Sequence, residues 1–82
     1  MPSKPRDQRI HDLDATLRVG KKGVESVADE LGSQLEDSQF VKVKFLRAAR
    51  GGTTTESLAD ELADHVNADM VQVRGHTAVF ER

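Results

Sequence analysis

Leu17-Arg18-Val19-Gly20-Lys21-Lys22-Gly23-Val24 carries a short apolar run into a glycine-flanked pair of lysines and then into the first residue of a helical pattern. Two glycines let the backbone turn tightly and approach a ligand closely, and the start of a helix offers unpaired N–H groups. Adjacent lysines add full positive charge, which completes the parts of a phosphate clamp. The same residues also make a plain connection between strand and helix, so the turn alone leaves both readings open.

Outward from this segment the chain alternates between two periods. Val24, Val27, Leu31 and Leu35 recur at steps of three and four, which predicts a helix over 24–36 with its acids outside the apolar stripe. Gly32 within it costs about 1 kcal/mol relative to alanine. Leu58, Leu62 and Val66, flanked by Ala59 and Ala63, predict a second helix; the spacing of Thr53 to Glu56 suits a capping box, so it is expected to start at Thr53. A shorter helix is expected over 6–13, anchored by Ile10 and Leu13. Residues 40–46 alternate instead, with Val41, Val43 and Phe45 on one face and Lys42 and Lys44 on the other, the pattern of a strand with one wet face. Met70 to Arg74 and Thr77 to Phe80 are two more strand-like runs, joined by Gly75-His76 as a hairpin. With Leu17 to Val19 the order is α-β-α-β-α-β-β, an α/β arrangement with a partly parallel sheet closed by one antiparallel hairpin.

At 82 residues the chain is expected to form one domain over 6–82, behind a flexible segment over 1–5. A domain of this size buries only about 60% of its unfolded surface. It has no Cys, which excludes disulfides and thiolate zinc sites. Residues 1–9 are too polar for a signal peptide and no apolar run approaches the ~18 residues of a membrane span, so a cytoplasmic location and no membrane partner are expected.

The net charge of −2 conceals a segregation along the chain. Residues 24–38 hold Glu25, Asp29, Glu30, Glu36 and Asp37 without a base, and residues 53–69 hold Glu56, Asp60, Glu61, Asp64 and Asp69 without a base. The bases gather at Lys4, Arg6 and Arg9, at Arg18, Lys21 and Lys22, at Lys42, Lys44, Arg47 and Arg50, and at Arg74 and Arg82. A bipolar surface follows if the acidic helices share one side.

Few residues suggest catalysis. His11, His65 and His76 fall in three different elements without a second ligand at metal-like spacing. Asp29-Glu30 and Asp60-Glu61 lie on polar helix faces, where solvation explains them, and no nucleophile elbow, Walker loop or dinucleotide fingerprint occurs. The expectation is a protein that is not an enzyme, with no cofactor, no metal and no small-molecule substrate. Lys42 and Lys44 could protect a sheet edge from aggregation, and Arg47-Ala48-Ala49-Arg50-Gly51-Gly52 could be a flexible solvated connection. In a βα layout, however, the glycine turn, the basic strand and the loop after it can all fall on one side, opposite the acidic helices. With three Phe and no Trp or Tyr, stacking on unpaired bases is disfavoured and phosphate or shape recognition of structured RNA fits better.

Three stretches then resemble one family. Residues 17–24, Phe40-Val41-Lys42-Val43-Lys44, and Val71-Gln72-Val73-Arg74-Gly75-His76-Thr77-Ala78-Val79-Phe80-Glu81-Arg82 look like the signature blocks of the YhbY-like CRM (chloroplast RNA splicing and ribosome maturation) domain, in order and at the right separations. The resemblance implies a two-layer α/β sandwich with a four-stranded mixed sheet, similar to the carboxy-terminal domain of translation initiation factor three. It implies RNA binding through the Gly-x-x-Gly loop and neighbouring basic surface, and a stand-alone, archaeal member associated with the large ribosomal subunit precursor and its rRNA. Carried over by position, Gly20, Lys21 and Gly23 match the loop, Lys42 and Lys44 the basic strand, and Gly75 and Thr77 the closing hairpin. His76 stands where the family usually has Lys, and Glu81 where it usually has Tyr. The candidate RNA-binding residues are Arg18, Gly20, Lys21, Lys22, Gly23, Lys42, Lys44, Arg47 and Arg50. Acidic helices beyond the family's norm suggest a halophilic-type surface suited to a cytosol of high ionic strength. Two other functions remain as alternatives: a protein-interaction module that uses the acidic helices, and a DNA-binding chromatin protein of related topology.

Overall fold

The computed structural model describes Ile10 and residues 12–82. The expectations for the 1–5 segment, for Lys4, Arg6, Arg9 and His11, and for most of the 6–13 helix lie outside the described residues. The remaining chain runs β1 (Ala15–Val19), α1 (Glu25–Asp37), β2 (Phe40–Phe45), α2 (Thr55–Val66), β3 (Asp69–Arg74) and β4 (Thr77–Glu81). The periodicities thus locate every one of these elements, with ends displaced by a residue or two.

One sheet holds the strands in the order β1-β2-β4-β3. β1 pairs parallel with β2, and β4 pairs antiparallel with both β2 and β3. β1, β2 and β3 therefore share a direction, and β4 alone runs against them. Each helix crosses back between two co-directional strands, so both helices begin at the sheet end where β1, β2 and β3 finish.

The helices pack on one sheet face. Val27, Leu31 and Leu35 of α1 and Leu58, Ala59, Leu62 and Ala63 of α2 are buried against Val19, Val41, Val43, Phe45, Ala78 and Phe80. Leu31, Leu62, Val43, Phe45 and Phe80 are fully buried, each such side chain contributing about 1.5–3 kcal/mol. On the opposite face, Ile10 packs on Phe40 and Val79, with Leu13 and Val71 beside them.

Local chemistry explains the element ends. The N-cap of α2 is Thr54, one residue after the expected Thr53, and its Oγ1 accepts the Ser57 amide at 3.1 Å. Two adjacent threonines make the choice illegible in sequence; Thr54 takes the extended backbone that aims its hydroxyl into the helix. α2 ends on Asn67 in the left-handed region, φ 55°, a conformation that asparagine tolerates. Gly32 does not interrupt α1, which continues to Asp37.

Candidate functional site

The Gly20–Gly23 turn is a hydrogen-bonded β-turn: the Gly23 amide donates to the Gly20 carbonyl at 3.0 Å. Lys21 and Lys22 occupy its two central positions and are exposed. Gly23 has φ 83°, a left-handed value that a side chain would strain. Gly20 differs, since its φ is ordinary and a Cβ there would meet only Leu46 Cδ1 at 4.0 Å, a normal contact. The fold therefore requires glycine at 23 but not at 20.

The turn delivers the chain into α1 without a side-chain cap. Val24, in the N-cap position, is apolar and buried in the core. The Ser26 hydroxyl donates to the Gly23 carbonyl at 2.7 Å and so does not cap the helix, while the Ser26 and Val27 amides donate to the Gly23 and Val24 carbonyls at 3.3 and 3.2 Å. α2 at the same end has Thr54 as its cap. The partial positive charge of a helix start is thus presented beside Lys21 and Lys22, moderated by Glu25 in the first turn.

Two further segments reach this end. Leu46 donates its amide to the Val19 carbonyl at 2.8 Å, and Phe45 donates to the His76 carbonyl at 2.7 Å. These two bonds join the exits of β1 and β2 to the β3–β4 hairpin. The 46–54 segment, which takes in the basic loop read over 47–52, is a chain of turns closed by Ala49 N–H to Leu46 O at 2.9 Å and Thr53 N–H to Arg50 O at 3.1 Å. Arg50 is partly committed to that structure, because its Nε donates to the Phe45 carbonyl at 3.1 Å. Arg47 is exposed.

Of the candidate residues, Arg18, Gly20, Lys21, Lys22, Gly23, Lys44, Arg47 and Arg50 all lie at this end of the sheet. Lys42 is one row away on the open face, half-buried, with its Nζ donating to the Leu13 carbonyl at 3.4 Å. Both strand lysines sit on β2, which is flanked by β1 and β4, so protection of a sheet edge does not explain them. Arg18 and Lys44 face away from the acidic helices, as expected of the basic strand, whereas the basic loops lie at the end from which those helices start. Sequence reasoning left Arg74 out of the candidate set; pairing with Thr77 brings it to the same end, and the two-residue Gly75-His76 connection was the available signal.

Residues 5–82 match the family model of the CRS1 / YhbY (CRM) domain. The chain belongs to the CRM domain family. It is 34% identical over 74 residues to the "Probable RNA-binding protein" of Methanocaldococcus jannaschii, an alignment that takes in 90% of this chain and 55% of the relative. The CRM chain thus spans about half the length of that relative. It is also similar to the solution structure of a hypothetical protein of Staphylococcus aureus described as "a putative RNA binding protein", with a TM-score of 0.73 and 26% identity over 93% of this chain and 78% of the other. That likeness bears out the two-layer sandwich and its four-stranded mixed sheet.

Elsewhere on the CRM domain, Ala28, Gly32 and Val66 line a groove of about 440 Å³ between α1 and α2, bordered by Asp29, Glu36 and His65. Among the described residues no cluster of three or more His, Asp or Glu is arranged to hold a metal ion, and no helix is long and apolar enough to cross a membrane.

Proposed function

We propose that this CRM domain is a non-enzymatic RNA-binding protein that seats the Gly20–Gly23 turn and the uncapped start of α1 on the phosphates of structured RNA. The observation that carries this reading is the meeting, at one sheet end, of the turn, the helix start and the basic 46–54 segment. Lys21 and Lys22 supply charge, Gly20 allows close approach of the backbone, and Arg18, Lys44 and Arg47 extend the footing. Arg50 positions the neighbouring loop through Phe45 and adds charge. Lys42 contributes field from one row behind. The names of both relatives support RNA as the ligand class.

The setting we propose is assembly of the large ribosomal subunit in the cytoplasm, with rRNA or a pre-ribosomal particle as partner; it rests on the family resemblance. Replacing Lys21 and Lys22 together by alanine tests the reading. Affinity for large-subunit rRNA fragments should fall broadly across sequences while the fold persists, as for phosphate contacts. Equal affinity of variant and parent would refute it. Competition with duplex DNA separates this reading from a chromatin role.

A second reading, a protein-interaction module, draws on the groove at Gly32 with its acidic border. Partners that stay bound after ribonuclease digestion would favour it.

A further inference from the structure

The strand pairings place four residues in a single row across the open face of the sheet. Arg18 stands opposite Lys44, Lys44 opposite Thr77, and Thr77 opposite Arg74. The row touches every strand, and neighbouring strands lie about 4.8 Å apart, so it spans roughly 14 Å. Arg18, Lys44 and Arg74 are all exposed.

The rows behind it change character. Ala15, Lys42, Val79 and Gln72 form the next, where Val79 is buried under Ile10. Phe40, Glu81 and Asp69 form the last and carry two acids. Among the described residues, charge on this face therefore runs from basic at the loop end to acidic at the other. A polyanion lying along the strands would leave the exposed cations for a row that holds buried Val79 and half-buried Lys42, and then, among the described residues, would meet the acids Glu81 and Asp69. One lying across them meets cations at three of four positions.

Arg18 and Arg74 sit on the two edge strands, where charge also discourages edge-to-edge pairing. Lys44 is interior, and that explanation does not reach it. Arg18 and Lys44 are like charges at the same level of adjacent parallel strands about 4.8 Å apart, so their repulsion works against the fold that carries them.

We propose that the row Arg18–Lys44–Thr77–Arg74 is a second phosphate track, along which the RNA backbone crosses the strands after leaving the Gly20–Gly23 turn. The track rests on the RNA-binding reading above and enlarges its interface from the loops to the sheet face. Thr77 holds the hairpin end of the track, since its Oγ1 donates to the Arg74 carbonyl at 2.9 Å. Without aromatic side chains on the row, recognition there is of backbone and not of base identity.

Lys44→Gln and Arg74→Gln, singly and together, test the track by titration with a large-subunit rRNA hairpin over a range of KCl concentrations. Each single change should weaken binding several-fold and flatten the slope of log affinity against log salt by about 0.7–0.9. Lys44→Gln should also leave the melting temperature unchanged or raised at low salt, because it removes a like-charge neighbour of Arg18. If the double variant matches the parent in affinity and slope while Lys21→Ala with Lys22→Ala loses binding, the track is wrong and the turn's role stands. If the parent fails to bind the hairpin, both readings fall.

Discussion

The amide of Leu46 donates to the carbonyl of Val19 at 2.8 Å, and this bond fastens the exit of β2 to the exit of β1. It makes the Gly20–Gly23 turn and the 46–54 segment leave the sheet side by side. Parallel pairing extended by one residue is what turns two basic stretches, separated by a whole helix in sequence, into one surface.

The two glycines of the turn should respond differently to alanine. Gly23→Ala forces a side chain into φ 83° and should destabilise the fold by about 1–2 kcal/mol. Gly20→Ala meets only ordinary contact with Leu46, so stability should hold within about 0.5 kcal/mol while RNA affinity falls. Chemical denaturation and RNA titration of both variants check this. An unchanged affinity for Gly20→Ala would remove the close-approach role of that residue.

Thr54→Ala should cost about 1 kcal/mol, because the Ser57 amide loses its acceptor. Thr53→Ala should cost far less. A urea series on both variants distinguishes the N-cap from its neighbour, and equal losses would contradict the placement of the helix start.

Phe40 and Val79 pack under Ile10 on the face away from the helices. Val79→Ala should therefore cost about 1–3 kcal/mol although Val79 lies outside the main core, and thermal unfolding measures it. A neutral outcome would mean that this second cluster adds little to stability.

The acidic helix surface leads us to propose that the protein tolerates high ionic strength. Counterion release is weak in such salt, so directed hydrogen bonds from the backbone of the Gly20–Gly23 turn must carry more of the affinity. From low to molar KCl, stability should rise and RNA binding should persist at reduced strength. Unchanged stability with a steep loss of affinity would overturn this.

Much of this architecture was readable from periodicity. Val27, Leu31 and Leu35 on one stripe, and Val41, Val43 and Phe45 on one strand face, specify which surfaces meet, and burial follows that pattern. Sheet order is different in kind. Nothing local in Phe40–Phe45 says that β4 inserts between it and β3, so the interior position of Lys44 appears only in the assembled sheet. The same holds for Arg74, whose alignment with Lys44 passes through Thr77 on a third strand. Partners of Lys42 and Arg50 were illegible as well, because both are backbone carbonyls, on Leu13 and Phe45, that carry no side-chain signature.

Amide chemical-shift mapping on the isotope-labelled protein, titrated with a large-subunit rRNA hairpin, locates the RNA contact residue by residue. The largest shifts should fall on Gly20 to Val27, on Leu46 to Thr53 and on Lys44 and Thr77. Shifts concentrated instead around Ala28, Gly32, Glu36 and Val66, with the turn undisturbed, would contradict the seating of RNA on the turn.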